Sequence, residues 1–124
     1  MFDIAKSAES QQLVREFWEA GKVVAAVCHG PCAFAFVKLS DGSHLIKDAD
    51  VTGFSNTEEE AAGKTQHVPF LLEDALKENG GKYSKASQDW GECVKVAKGG
   101  RLITGQNPAS SKGVGEAIAA ALKI

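Results

Sequence analysis

The chain has 124 residues, of which 44% are hydrophobic and 24% charged, and its 14 basic and 16 acidic residues leave a net charge of −2. This length fits one domain, residues 1–124, and the lack of a basic cluster argues against nucleic acid or an anionic membrane as a partner. No apolar run reaches the roughly 20 residues of a membrane span, and the first residues lack a signal-peptide core, so a cytoplasmic protein is expected.

The N-terminal part of the chain predicts a helix, a buried strand and a second helix. The first helix follows a serine cap, Ser7 or Ser10, and ends at Gly21. Residues 23–27 are apolar at every position, which is typical of a central parallel strand covered on both faces. A second helix is expected from Pro31, because proline is well tolerated in a first helical turn. The first helix carries its apolar residues at helical spacing, at Leu13, Val14, Phe17 and Trp18.

The rest of the chain continues this alternation of strands and helices. A short strand is predicted at residues 50–54, a helix at 69–81 and a further strand at 82–86. Two apolar segments on either side of a glycine turn predict a hairpin at residues 93–105, and the last helix begins near residue 110. The predicted class is therefore α/β, with a largely parallel sheet.

The segment AVCHGP places Cys28 where the buried strand turns into the second helix. A nucleophile on such a strained turn needs small neighbours two residues away, and these are Ala26 and Gly30. The turn exposes the sulfur at the carboxyl edge of the sheet, directs the positive end of the following helix toward it, and presents backbone N–H groups such as that of His29 to an oxyanion. These features favour a thiolate nucleophile over a buried structural cysteine.

The remaining cysteines and histidines point to no second site. Cys32 follows Cys28 by one helical turn and is interpreted as a core residue, and Cys93 is expected to be inert. The spacing of the three cysteines fits neither a zinc site nor a disulfide framework, so no metal site is expected. His44 and His67 have no second ligand at metal spacing and are predicted to be surface residues.

His29 adjoins the nucleophile and is the candidate general base, which needs a third group to orient its ring. An acidic run follows the strand at residues 50–54, whose carboxyl end should lie near the cysteine turn in a parallel sheet. The spacing alone does not distinguish among the glutamates of this run, and a solvated helix start is the favoured explanation of the run from spacing alone. The three glutamates are Glu58, Glu59 and Glu60.

Four motifs in order along the chain resemble the class I glutamine amidotransferase-like superfamily. They are AVCHGP, VTGFSNTEEE, VPFLLEDALKENGGKY and LITGQNPASS. The resemblance is greatest to the branch of glutathione-independent glyoxalases and heat-inducible chaperones, which is related to the parkinsonism-associated deglycase. It implies a flavodoxin-like three-layer sandwich, usually dimeric, of which this chain is the C-terminal part. It also implies a Cys–His–acid site, whose acid stands five residues after Phe54, at Glu59, while Glu58 and Glu60 are expected to be solvated.

The chemistry implied by the resemblance is the conversion of methylglyoxal, a small α-oxoaldehyde, to lactate without glutathione or metal, so no cofactor is expected. Cys28 would add to the aldehyde, and His29, supported by Glu59, would move a proton between the two carbons. Hydrolysis of the resulting thioester would release the acid. The resemblance also implies a set of pocket residues, namely Phe54, Trp90, Asn107 and Pro108.

Members of this family carry an N-terminal segment that has no counterpart in these 124 residues. It supplies the first strands of the sheet, a glycine-rich turn and a glutamate that binds the thiol. A fragment is therefore expected, in which the strand at residues 23–27 lacks sheet neighbours and exposes an apolar edge. The expected partner is a second copy or a complementing N-terminal segment, and activity without one should be weak or absent.

Other functions stay open on the sequence. A holdase chaperone or stress protein would bind unfolded chains through exposed apolar surface, and an exposed thiol would suit redox sensing or deglycation. A cysteine peptidase uses the same three groups, although a turn packed against neighbouring loops leaves little room for a polypeptide. Lactate formation from methylglyoxal distinguishes the enzyme from the sensor and the chaperone.

Overall fold

The computed structural model describes all 124 residues and confirms an α/β architecture. Every element that the sequence predicts is present, and one short helix is added between the second and third predicted strands. The elements in chain order are α1 (Ala8–Glu19), β1 (Val24–Val27), α2 (Cys32–Ala35), β2 (Asp50–Val51), α3 (Asn56–Ala61), α4 (Leu72–Glu78), β3 (Lys82–Tyr83), β4 (Val94–Ala97), β5 (Leu102–Gly105) and α5 (Ser111–Leu122).

The main sheet has the strand order β1–β5–β4. β1 and β5 are parallel, with Val27 opposite Gly105, and β4 and β5 form the antiparallel hairpin that the sequence predicts. β2 and β3 form a separate parallel pair. The backbone N–H of Thr52 donates to the hydroxyl of Thr104 at 3.0 Å, which joins the end of β2 to β5. This bond brings the segment after β2 beside the carboxyl ends of β1 and β5.

Two of the predicted helices are shorter than expected. α2 is a single turn, because the side-chain amide of Asn79 donates to the carbonyl of Ala35 and the chain leaves helical geometry at Phe36. α4 starts after Leu71, whose backbone is extended, rather than at Pro69. The short α2 matters for the site, since it follows the cysteine turn directly.

The core fills the space between the sheet and the helices α2 and α4. No residue of α1 is buried, and two of its apolar side chains, Leu13 and Phe17, are 57% and 43% exposed. The apolar stripe of α1 is therefore only partly covered. The largest fully buried apolar side chains are Leu45, Ile46, Leu72, Leu76, Leu102 and Ile103.

β1 has a sheet neighbour on one side only. This edge position differs from the central position that the all-apolar pattern predicts, and it matches the missing sheet neighbours expected from the family resemblance. Its Val24 N–H donates to Arg101 O at 2.8 Å, so by alternation the backbone groups of Ala25 point away from β5. Apolar grooves of about 250 and 670 Å³ flank this open edge, and both are bordered by Phe17, Val23 and Ala25. An unpaired edge between two apolar grooves is a surface that another strand can cover.

None of the helices is long and apolar enough to cross a bilayer.

Candidate active site

Cys28 lies directly after β1 and has a left-handed backbone conformation, with φ of 67°. Residues other than glycine rarely adopt this conformation, which persists only where the surrounding structure imposes it. Here the N–H of Cys28 donates to Gly105 O at 2.9 Å, and its carbonyl accepts the N–H of Phe54 at 2.9 Å. Two neighbouring segments therefore fix the backbone of the candidate nucleophile on both sides.

The small residues around Cys28 are required by close packing of the turn. A β-carbon on Gly30 would lie 2.9 Å from Val27 O and 3.2 Å from the β-carbon of Ala26. The N–H of Gly30 also donates to Val27 O at 2.9 Å, which closes the turn. Larger side chains at positions 26 and 30 would push this turn open, so the spacing of small residues has the physical basis expected from the sequence.

The backbone of the turn offers one free N–H group, that of His29, which donates to no protein acceptor. The N–H groups of Cys28 and Gly30 are already bonded to carbonyls. Because α2 is a single turn, the contribution of its helix dipole to the site is smaller than expected from the sequence. An oxyanion at this position would have one backbone donor from the chain.

The strain at Cys28 predicts an unusual order of stability among its variants. Cys28→Gly should have a free energy of unfolding about 1 kcal/mol larger than Cys28→Ala, because glycine adopts a positive φ without the penalty of a β-carbon. Urea unfolding of the two variants measures the difference. Equal stabilities, or a more stable alanine variant, would show that the left-handed conformation at this position is not costly.

His29 connects the sulfur to a buried carboxylate. Its Nδ1 lies 3.7 Å from Cys28 Sγ, and its Nε2 lies 2.7 Å from Oε2 of Glu59. The side chain of Glu59 is 2% exposed, whereas that of His29 is 39% exposed. The Nε2 contact fixes the ring plane and leaves Nδ1 facing the sulfur, which is the arrangement of nucleophile, base and orienting acid.

The neighbours of His29 raise its pKa above the usual 6.5. The contact with Cys28 contributes most, burial opposes it, and the hydrogen bond and negative charge of Glu59 raise it further. Because the folded-state pKa is raised, the stabilisation that this pair gives the fold is complete below pH 6.5 and is lost as the pH rises through the folded-state pKa. The imidazolium form, with its positive charge beside the sulfur, therefore persists to higher pH than in a free histidine.

α3 places Glu59 in this contact, and its first turn also buries the neighbouring Glu58. Ser55 is the N-cap of α3, and a reciprocal capping box joins its side chain and backbone to Glu58. Glu58 is fully buried, so the prediction that it is solvated is wrong, while Glu60 is exposed as expected. The Ser55-x-x-Glu58 pattern is the sequence signal of a capping box and would have identified this residue.

Glu58 is the centre of a buried hydrogen-bond network. Burial tends to raise the pKa of its carboxyl, but the side-chain amides of Asn107 and Gln106 and the backbone N–H groups of Ser55 and Trp90 lower it more, so the net shift is downward. The carboxylate therefore stays ionised inside the protein. Its donors are Ser55 N and Oγ, Trp90 N, Gln106 Nε2 and Asn107 Nδ2, at 2.8 to 3.0 Å.

The four pocket residues implied by the family resemblance lie in different surroundings. The ring of Phe54 lies 4.4 Å from that of His29 and 5.6 Å from that of Trp90, which is 46% exposed. Asn107 is fully buried in the Glu58 network, and Pro108 is exposed at the start of a one-turn 3-10 helix. Phe54 thus contacts the candidate base directly, but none of the four is among the residues that border the cleft beside His29.

A cleft of about 370 Å³ opens beside His29 and Glu59. One oxygen of Glu59, Oε1, is buried without a hydrogen-bond partner and could accept a bond from a bound molecule or water. His67 is exposed, as predicted, and also borders this cleft, a role that the sequence did not indicate. The residues that line the cleft besides His29 and Glu59 are Met1, Phe2, Lys64, His67 and Val68.

The cysteines outside the turn have structural surroundings. All three cysteines are free thiols, and burial raises the pKa of Cys32, which lies in the core. Cys93 is half-buried, and its N–H donates to the hydroxyl of Ser110 at 3.0 Å. His44 is half-buried and pairs in an isolated bridge with Lys38. No group of three His, Cys, Asp or Glu side chains is arranged to hold a metal ion.

Comparison with known proteins gives relatives for nearly the whole chain, although no family model matches it. It is 37% identical over 118 residues to a probable glutathione-independent glyoxalase of Schizosaccharomyces pombe, covering 90% of this chain and 44% of that protein. It is 30% identical over 111 residues to the glutamine amidotransferase-like class 1 domain-containing protein 1 of Bos taurus, covering 90% of this chain and 49% of that protein. The chain is homologous to the glutathione-independent glyoxalases.

Solved structures agree with this relationship. The 24 kDa rapid encystment protein of Francisella tularensis superposes with a TM-score of 0.91 at 42% identity, over 97% of this chain and 52% of that one. Glyoxalase III of Candida albicans superposes with a TM-score of 0.85 at 29% identity, again over 97% and 52%. The fold is therefore that of the glyoxalase III structures, in agreement with the flavodoxin-like sandwich expected from the sequence. The chain spans about half the length of the curated relatives it matches.

Proposed function

We propose that this chain carries the catalytic groups of a glutathione-independent glyoxalase, which converts methylglyoxal and water to lactate. The observation that carries the proposal is the continuous contact from Cys28 Sγ through the ring of His29 to the buried carboxylate of Glu59. Homology to proteins named glutathione-independent glyoxalases supports the same reaction class. The free thiols further support a reducing, cytoplasmic setting.

In the first step, the Cys28 thiolate adds to the aldehyde carbon of methylglyoxal and forms a hemithioacetal. The new carbon–sulfur bond converts the aldehyde oxygen into an alkoxide, which needs a hydrogen-bond donor as its charge develops. The free backbone N–H of His29 supports this role, and the imidazolium ring supplies the proton that neutralises the alkoxide. The ring is then neutral and able to act as a base.

In the second step, neutral His29 removes the proton from the carbon that bears sulfur, and an enediolate forms. The same proton is returned to the neighbouring carbon, and the hydroxyl proton of the hemithioacetal passes to the oxygen of that neighbouring carbon. The product is a thioester of lactate, so the carbon skeleton is oxidised at one carbon and reduced at the other. Glu59 stabilises the imidazolium while it carries this proton. Water then attacks the thioester carbonyl, lactate leaves, and the Cys28 thiol is regenerated.

We also propose that an additional strand covers the open edge of β1 in the active assembly. The backbone groups of Ala25 that point away from β5, and the apolar grooves on both sides of that edge, support such a strand. The grooves would take alternate side chains of the added strand, since these point to opposite faces. A complementing segment is the proposed occupant, and a second copy of this chain would instead appear as a dimer in light scattering.

Incubation of the chain with methylglyoxal tests the proposed activity. Intact-mass analysis should show a reversible adduct that maps to Cys28, and an enzymatic assay should detect lactate, slowly for the chain alone. Addition of methylglyoxal to lysine and arginine side chains with none at Cys28, and no lactate, would contradict the proposal. Suppression of client aggregation that is unchanged in Cys28→Ser would favour a holdase chaperone instead.

A further inference from the structure

We infer that Glu58 is a positioning residue of the site, which fixes Phe54 against His29 through Ser55 and Trp90. This inference rests on the proposed function, because it assigns the role of a buried carboxylate in the same site. Glu58 makes no hydrogen bond to Cys28 or His29. It acts through Phe54, whose ring lies against the ring of His29.

One oxygen of Glu58 fixes the chain segment that contains Phe54. Oε1 accepts the N–H of Ser55 at 3.0 Å and the hydroxyl of Ser55 at 2.9 Å. Ser55 follows Phe54 directly, and the N–H of Phe54 itself donates to the carbonyl of Cys28 at 2.9 Å. The backbone on both sides of the Phe54 side chain is thus bonded, to the cysteine turn before it and to Glu58 after it.

The other oxygen of Glu58 fixes the aromatic residue that covers Phe54. Oε2 accepts the N–H of Trp90 at 2.8 Å, and Trp90 has a left-handed backbone conformation with φ of 67°. A tryptophan adopts this conformation only where other contacts impose it. The N–H of Trp90 donates to Glu58, and this bond holds the indole ring 5.6 Å from the ring of Phe54.

Phe54 transmits this arrangement to the candidate base. Its ring is 5% exposed and lies 4.4 Å from the ring of His29, tilted by 40°. The contact covers one face of the imidazole, so the ring cannot tilt or rotate toward that side without displacing Phe54. The carboxylate of Glu58 thereby determines how firmly the Cys28–His29–Glu59 contacts are maintained.

The substitution Glu58→Gln tests this role, because it keeps the shape of the side chain. An amide in place of the carboxylate directs N–H groups at some of the donors that now surround Glu58. At least one of its hydrogen bonds to Ser55 and Trp90 is therefore lost. NMR titration of the His29 ring should then show its midpoint shifted downward toward 6.5, as the contacts with Cys28 and Glu59 loosen. The kcat for lactate formation should fall on the order of tenfold to a hundredfold with little change in KM.

Two further variants separate positioning from general stability. Trp90→Gly removes the covering ring, suits the positive φ and leaves the Glu58 network intact, and it should shift the His29 midpoint in the same direction. Glu60→Gln, on the exposed side of the same helix, should shift neither the midpoint nor kcat. In the double variant Glu58→Gln/Phe54→Leu, the midpoint shift should not exceed that of Phe54→Leu alone, because both changes act through one contact.

An unchanged His29 midpoint in folded Glu58→Gln and in folded Trp90→Gly would overturn the inference. If Glu58→Gln does not fold, the His29 midpoint in Trp90→Gly alone decides between these outcomes, since the exposed ring of Trp90 is outside the buried network. The titration needs no turnover, so it separates this inference from the proposed function. A wild-type chain that forms neither lactate nor an adduct at Cys28 would contradict the glyoxalase proposal, while the His29 midpoint would still report on Glu58.

Discussion

Replacement of Cys28 by serine is expected to lower lactate formation from methylglyoxal by on the order of 10⁴-fold or more, because a triad nucleophile contributes at least this much to kcat. The serine hydroxyl would occupy the same turn, since the backbone is fixed by Gly105 and Phe54. It would not ionise near neutral pH, even with the imidazolium of His29 beside it. Geometry is thus kept while the chemistry of the first step is removed.

Lactate is measured with the wild-type chain and the variant under identical conditions, and intact mass follows the adduct. Cys93→Ser is the matched control, because Cys93 is also partly exposed and lies outside the cysteine turn. It should keep the wild-type rate and the adduct. A Cys28→Ser variant that retains most of the activity would exclude a covalent mechanism through this thiol.

The position of the nucleophile could be predicted from the sequence because local rules determine it. An all-apolar strand, a cysteine and small residues at positions 26 and 30 specify a tight turn, and the packing of Gly30 against Val27 and Ala26 accounts for that pattern. The hairpin of β4 and β5 was equally predictable from its alternation and glycine turn. These features depend on neighbours along the chain, which a sequence displays directly.

The carboxylates needed more than local rules. Residue spacing left Glu58, Glu59 and Glu60 as equal candidates, and only the family resemblance selected Glu59, whose contact with His29 crosses 30 positions of sequence. The burial of Glu58 depends on amide donors from the segment after β5 and a backbone donor at Trp90. Such long-range bonds leave no periodic signal, so the buried network could not be predicted from charge patterns that usually indicate a solvated face.

The extent of the helices was also hard to predict, since tertiary contacts end them. Asn79 caps the carbonyl of Ala35 and limits α2 to one turn. This shortening changes the electrostatics of the site, because the helix dipole expected behind Cys28 is largely absent. The positive charge closest to the sulfur is then that of the His29 ring, whose pKa is raised by the contact with Cys28 and by Glu59. The site therefore depends on His29 for charge as well as for proton transfer.

This dependence makes His29→Ala the second large loss expected. General acid–base catalysis by a positioned histidine is worth roughly 10²–10⁴-fold, so lactate formation should fall by about this factor. The variant also lacks the proton donor for the alkoxide of the first step, but the thiol of Cys28 is retained. Intact mass should therefore still detect an adduct at Cys28 at high methylglyoxal concentration, while its conversion to lactate stalls.

His67→Ala is the control for this experiment, because His67 is a second histidine on the rim of the same cleft and is exposed. The His67 side chain makes no hydrogen bond to Glu59, whereas Nε2 of His29 lies 2.7 Å from that carboxylate. The His67 variant should keep kcat and change KM at most. Comparable losses of kcat in both variants would mean that the base is not defined by contact with Cys28 and Glu59. If His29→Ala forms lactate at the wild-type rate, His29 is not the group that transfers the proton.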